Sequence, residues 1–415
     1  MPTIPRLKDD CFALPAGTKW TSVEDALAHL QANMKPMAET ETLAISDALG
    51  RVLAQAATAL RANPPTANAA VDGYGFAFSS LAAQAEIKLP LVDGRSAAGA
   101  PFEGTVPLGQ AIRILTGAAL PAGVDTVIMQ EDVHAEAAEI TFSAGLKAGA
   151  NCREMGEDVK AGAVAVAAGT RLRAAELGLL VALGVSKVLV YKRLRVGVLS
   201  TGDELKQPGE VAAPHQIFDA NRPMLLSLLE SWGYAAIDLG AAADTTESVV
   251  EALDNAALCC DALLTSGGAS AGDEDHMSAV LKAQGALAVW RIAIKPGQPL
   301  ALGLWQGLPV FGLPGNPVAA FTTAQIFARP ALGALQGQGW QAARGYQLPA
   351  VFEKSKKAGR REYLRARRTA SGAVEVFASE GSGRISGLAW AEGLVELPDE
   401  ALTVARGDLV TFIPF

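Results

Sequence analysis

Between about residues 186 and 332 the chain alternates apolar strand-like runs with helical patterns, and this alternation constrains the fold more than any other feature. RLRVGVLS reads as a strand. NRPMLLSLLESWG reads as a helix, with Asn221 at its cap and Pro223 in its first turn. YAAIDLG is a strand, and Asp244, with Glu247 three residues on, opens a capped helix. DALLTS is a strand, and a helix follows from about His276. ALAVWRIAI and the pieces around ALGLW and PVFGL are strands, and NPVAAFTTAQIFARP is a helix. Strands alternating with helices of roughly 10–15 residues predict a doubly wound parallel sheet. Ligands of such sheets bind beyond the carboxyl ends of the strands, so the loops there are where function is sought.

The rest of the chain is patterned differently. TSVEDALAHLQAN, residues 21–33, predicts a helix with a capping box from Thr21 to Glu24. Residues 46–60 also look helical, and RANPPTANAAVDGYGF then breaks the regularity. From about 76 to 150, EIKLPLV, AIRILTG, DTVIMQED and AEITF read as strands between Gly and Pro turns, a mostly-β domain. A strand and a helix near 173–183 follow. Beyond the sheet, the linker QGQGWQAARG leads to short strands ending at Phe415, a second small β domain. The expected class is α/β multidomain, and 415 residues fit two to four domains at about 100–200 residues each.

Composition narrows the function. A net charge of −8 argues against general nucleic-acid binding. No apolar run reaches the ~18 residues of a membrane span, and MPTIPRLKDDCFALP lacks the apolar stretch of a signal peptide. The four cysteines include no C-x-x-C pair, so packed thiols in a reducing cytoplasm are expected. The four histidines are too scattered for a zinc site. One segment is locally basic: KSKKAGRREYLRARR, residues 354–368, holds eight basic residues against one acid. It is either a solvated strand face or a local anion site.

The loops after the predicted strands carry a recurrent chemistry. They hold Thr201, Gly202, Asp203 and Glu204; Asp244; Ser266, Gly267, Gly268 and Ser270 followed by Asp273, Glu274 and Asp275; Lys295; and Gly315 with Asn316. Backbone N–H groups in glycine loops and at helix starts hold anions, yet SGGASAGDED also carries three carboxylates in a row. A divalent cation reconciles the two, because Mg²⁺ takes one or two carboxylates together with phosphate oxygens. Asp273 and Glu274 could equally be the acids favoured at a helix start.

VDGYGF, RILTGAALPAGVDTVIMQED, REMGEDVKAG, VLSTGDEL, LLTSGGASAGDED, IKPGQP and GLPGNP occur in that order. Together they resemble the molybdopterin molybdenumtransferase family, the MoeA type, to which the C-terminal domain of gephyrin also belongs. The resemblance runs from about residue 5 to the C-terminus. It implies molybdenum insertion into adenylylated molybdopterin, using molybdate, with release of AMP and with Mg²⁺ or a similar divalent ion. By motif it assigns the catalytic acids to Asp72, Asp158, Glu204, Asp244 and Asp275, with Thr116, and the metal to Glu204, Asp244 and Asp275. Lys295, Pro296 and Pro314 carry over as substrate-binding, beside the loop residues above.

It further implies an elongated homodimer whose site lies between the parallel-sheet domain of one subunit and the VDGY domain of the other. Partners would be a molybdopterin adenylyltransferase and apo-molybdoenzymes or their chaperones, with no nucleic acid and no membrane. The expected domains are 21–60 with 150–185, 61–149, 186–332 and 340–415. Molybdate is a dianion and needs cations, so Arg361, Arg365, Ser382 and Ser386 are expected to hold it with Lys295, with Arg360 nearby.

The chain departs from the family at Val71, Gly75, Gln298 and His276. Gln298 removes a cation and leaves anion binding leaning on Lys295. A non-catalytic carrier or scaffold is the alternative function, against which the retained acids argue. An adenylyltransferase is a third, disfavoured by the extra domains and separable because it would consume ATP.

Overall fold

The computed structural model describes residues 20–267, 276–297 and 299–415. Gly268, Ser270, Asp273, Glu274, Asp275, Gln298 and Cys11 lie outside them. The chain forms two compact units: residues 1–41, 50–54 and 189–415, and residues 42–49 with 55–188.

The first unit is built on a six-stranded sheet in the order Ala235–Ala242, Arg195–Thr201, Ala262–Ser266, Leu308–Leu313, Pro299–Trp305, Ala286–Arg291. The first four strands are parallel. Pro299–Trp305 runs antiparallel to both of its neighbours, so Ala286–Arg291 again points with the parallel set. The sheet is therefore mixed by one strand, and the five loops of interest leave its carboxyl edge.

Two-fold alternation divides the strand residues between two faces. Val196, Val198 and Leu264 face Leu225 and Leu229 of the helix Asn221–Ser231 and the helical run 317–335. Leu199, Leu263 and Val310 face Val249 and Leu253 of Thr246–Cys259 and Val280 of His276–Gln284. Helices on both faces make the sheet doubly wound. The same core takes in Val23, Ala26 and Leu30 of the helix Val23–Asn33, and Tyr363, Leu394 and Ile413 from a second sheet. That C-terminal sheet has the order Ile294–Lys295, Arg361–Arg368, Gly393–Leu397, Leu409–Pro414, Tyr346–Pro349.

The second unit holds a six-stranded sheet in the order Thr126–Met129, Gly73–Phe76, Ala111–Ile114, Glu86–Ser96, Glu139–Ser143, His134–Ala135. Its core includes Phe76, Ile87, Leu89, Ile140 and Phe142, with the two phenylalanine rings stacked at 5.4 Å. The helix Ala174–Ala182 and the antiparallel pairs Ala57–Thr58 with Val164–Val166 and Asn68–Ala69 with Cys152–Arg153 also belong to it.

Several local expectations shift. The first helix is capped by Ser22, whose hydroxyl accepts from Asp25 N–H, one residue later than the Thr21–Glu24 box. Thr21 instead bridges to Ile292. Residues 46–60 do not form a helix: a 3₁₀ turn at Ile45–Asp47 gives way to Ala57–Thr58 as strand. Thr245, not Asp244, caps the next helix, accepting from Ser248 N–H. Asn221 is the first residue of its helix rather than the cap, because its amide is used elsewhere.

Candidate active site

Three parallel strands end side by side. Gly267 N–H donates to Leu313 O at 3.2 Å. Gly267 has φ +91°, and a Cβ there would lie 2.8 Å from Thr201 Oγ1, so only glycine lets these strand ends approach so closely. Asn221 closes the group from below: its Nδ2 donates to Ser266 Oγ at 2.8 Å and to Gly315 O at 2.7 Å. One buried amide thus ties the SGG loop to the PGNP loop.

The acids stand on the adjacent strand ends. Leu205 N–H closes a turn onto Gly202 O at 3.2 Å, and Glu204 folds back over Gly202. Asp203 Oδ1 accepts from Asp244 N–H at 3.1 Å, which brings the carboxylate loops 201–204 and 243–245 together. Beneath them Arg222 donates to the buried Asp219 at 3.1 Å, to Asp238 at 2.6 and 2.9 Å, and to Gln207. Burial works against the arginine's charge, but its bonds to Asp238 and Asp219 hold its pKa above the ordinary value. The sequence offered no cue to this network or to the Asn221 clamp. The oxygen donors of Asp203, Glu204 and Asp244 suit a hard cation. Among the described residues, however, no three His, Cys, Asp or Glu side chains, these included, are placed so that they could hold a metal ion together.

Lys295 is placed by the C-terminal sheet, where Ile294–Lys295 runs parallel to Arg361–Glu362. Its Nζ donates to Glu380 at 2.6 Å and lies 3.6 Å from Glu362. Lys354 pairs with the same two carboxylates, at 3.1 Å from Glu362 and in close contact with Glu380. Pro296 and Val318 line the small cavity beside them. The basic stretch 354–368 is divided: Lys357, Arg360 and Arg368 are exposed, while Lys354, Lys356, Arg361 and Arg365 are bonded to acids and carbonyls. Arg361 lies 3.4 Å from Glu396 and donates to Asp399 at 3.0 Å. Arg365, 4% exposed, donates to the carbonyls of Arg384 at 2.6 Å, Gly381 at 3.2 Å and Ser379. Ser382 uses its carbonyl to accept from Val318 N–H at 3.2 Å, and Ser386 opens the short helix Ser386–Trp390. His276 starts its helix with Nδ1 3.4 Å from Thr246 Oγ1.

In the second unit, Asp72 Oδ1 accepts from both Thr116 N–H and Thr116 Oγ1–H at 2.6 Å. The hydroxyl bond, then the backbone bond, hold the Asp72 carboxyl below its ordinary pKa. The sequence pair Asp72 and Thr116 is one hydrogen-bonded unit. Asp158 is held by Asn63, whose Nδ2 donates to Asp158 Oδ2 at 2.7 Å.

Family models match nearly the whole described chain. Residues 21–184 match the MoeA N-terminal region (domain I and II), 197–334 a probable molybdopterin-binding domain, and 347–415 the MoeA C-terminal region (domain IV). The chain belongs to the MoeA family. It is 38% identical over 383 residues to the molybdopterin molybdenumtransferase of Haemophilus influenzae, covering 91% of this chain and 94% of that one. It is 32% identical over 337 residues to the enzyme of the same name from Nostoc sp., covering 78% and 77%. The molybdopterin biosynthesis MoeA protein of Pyrococcus horikoshii OT3 superposes with a TM-score of 0.83 at 30% identity, over 96% of this chain and all of that one. This MoeA-family protein is accordingly a transferase with a role in molybdenum cofactor biosynthesis.

Proposed function

We propose that the enzyme inserts molybdenum into adenylylated molybdopterin, taking molybdate as the metal source and releasing AMP. The observation that carries this reading is the carboxyl edge of the central sheet. There hydrogen bonds join Asp203 to Asp244 and, through Asn221, Ser266 to Gly315, with Gly267 packed close to Thr201, so that glycine loops stand beside carboxylates. Cleaving a phosphoanhydride asks chiefly for positioning and charge neutralisation. Backbone N–H groups of the glycine loops orient the phosphates, and Asn221 fixes the spacing of the two loops. Glu204 and Asp244, with Asp275, would hold a Mg²⁺ ion, which when bound supplies positive charge to the phosphate oxygens. Asp72, kept ionised by Thr116, and Asp158 contribute the remaining acids.

The acting form is a homodimer in the cytoplasm, fed by an adenylyltransferase and supplying apo-molybdoenzymes or their chaperones. Lys295, with Arg361, Arg365, Ser382 and Ser386, forms the molybdate region. Purified protein given adenylylated molybdopterin, Mg²⁺ and molybdate is expected to release AMP only with molybdate present, and Glu204→Gln and Asp72→Asn are expected to abolish that release. Substrate binding without AMP release, also with tungstate, would replace this reading by a carrier. An unchanged half-saturating molybdate concentration in Arg361→Ala and Arg365→Ala would remove those two residues from the site.

A further inference from the structure

The cavity beside Lys295 is closed by a carboxylate from the chain itself. Glu380 presents Oε2 to Lys295 Nζ at 2.6 Å and Oε1 to Lys354 Nζ. Two oxygens of one group, one on each ammonium, is the arrangement that two oxygens of a tetrahedral oxyanion would adopt. With Glu362 beside both lysines, two positive and two negative side chains cancel. The cavity lined by Lys295, Pro296, Arg365 and Glu380 then measures about 20 Å³, room for about one water and too little for a dianion.

The carboxylate is nonetheless free to leave. Its side chain is 46% exposed, while the backbone on either side is fixed by Arg365, which holds the Ser379 and Gly381 carbonyls. Rotation of the Glu380 side chain toward solvent would leave the two ammonium groups sharing Glu362 alone, one uncompensated positive charge facing the cavity.

We propose that Glu380 is an internal competitor for the incoming oxyanion: it occupies Lys295 and Lys354 until molybdate displaces it, and so sets the molybdate concentration at which the enzyme loads. This rests on the reading of the Lys295 region as the molybdate site. It assigns to Glu380 a selective role as well, because an anion must outcompete a tethered carboxylate to enter.

The test is calorimetric titration of the full-length protein with sodium molybdate alone, comparing the parent with Glu380→Gln, Glu380→Ser, Lys295→Met and Lys354→Met. Both Glu380 variants are expected to bind molybdate about fivefold tighter or more, since two partly exposed ion pairs no longer have to be broken, and both lysine variants weaker. Weakened lysine variants with Glu380→Gln and Glu380→Ser no tighter than the parent would overturn the competitor role and leave the site standing. Unchanged molybdate affinity in Lys295→Met and Lys354→Met would overturn the site itself, and the competitor role with it.

Discussion

Asn221→Ala isolates the clamp at the head of the sheet. The substitution removes two hydrogen bonds made by an amide that is 7% exposed, in a residue at the first turn of its helix. The two partners lose unequally. Gly315 sits at the surface and its carbonyl can turn to water, so that bond costs about 0.5–1.5 kcal/mol. Ser266 is 4% exposed, and stranding its hydroxyl costs about 1–3 kcal/mol. Together the loss is about 1.5–4.5 kcal/mol, or about 3–8 °C in melting temperature for a unit of this size.

Asn221→Asp keeps the shape but replaces a donor by an acceptor facing the Gly315 carbonyl. It is expected to melt at least as low as Asn221→Ala at neutral pH, and to recover toward acid, where a protonated carboxyl can again donate. Differential scanning fluorimetry across pH measures both, and the substrate concentration for half-maximal AMP release is expected to rise in each. If Asn221→Ala melts within about 1 °C of the parent, or if Asn221→Asp matches the parent at neutral pH, the clamp does not hold these loops.

Arg222→Met leaves Asp219 buried, at 3% exposure, without its cation, and is expected to cost about 3–5 kcal/mol in urea unfolding; adding Asp219→Leu should restore a large part of it. Thr116→Val removes the largest cause of the lowered Asp72 pKa, so that pKa rises and the acid limb of the AMP-release profile should move to higher pH. An unmoved limb would show that Asp72 does not have to be ionised.

Hydrogen bonds from Lys295 and Lys354 depress the folded pKa of Glu380. Its contribution to stability is therefore present above the unfolded carboxylate pKa and is lost as pH falls through the folded value. Lys354 is the opposite case: burial lowers its pKa, but the bonds and charges of Glu380 and Glu362 outweigh this and raise it. Its share is full below the unfolded lysine pKa and is lost as pH rises through the folded value. The melting difference between parent and Glu380→Gln should thus be widest between those limits and narrow toward strong acid.

What the sequence disclosed and what it hid divide by the range of the forces involved. The strands of the central sheet and the helix Asn221–Ser231 follow from local periodicity, because each must bury one face whatever its neighbours are. The loops holding Thr201–Glu204, Asp244 and Gly315 were legible for the same reason: they follow strands. The motif resemblance names Asp72 and Thr116 separately but does not disclose their hydrogen bond, since 44 positions separate the residues. Residues 46–60 misled, because alanine and leucine favour a helix locally while strand pairing of Ala57–Thr58 with Val164–Val166 decides the outcome. Cap assignments slipped by one residue at Ser22 and Thr245, where neighbouring hydroxyls and carboxylates compete for the same N–H groups. The basic run was legible only as charge, because a linear count carries no record of Glu380, Glu396 and Asp399 brought in from elsewhere in the chain.

That neutralisation bears on how an anion site can be stable before its ligand arrives. Lys354 is 10% exposed in its side chain, as is Glu362. A bare ammonium at that depth would shed its proton or pull in water. Two lysines that share one carboxylate would also repel each other without it, so the folded state needs a counter-charge there. Glu362, fixed in the sheet, supplies one that cannot leave. Glu380, on the loop that Arg365 anchors, supplies one that can. On the proposed reading, the same carboxylate that neutralises the two ammonium groups is the one an oxyanion must dislodge. Stability of the resting enzyme and affinity for the oxyanion are coupled with opposite signs through Glu380, so a variant that gains one is expected to lose the other.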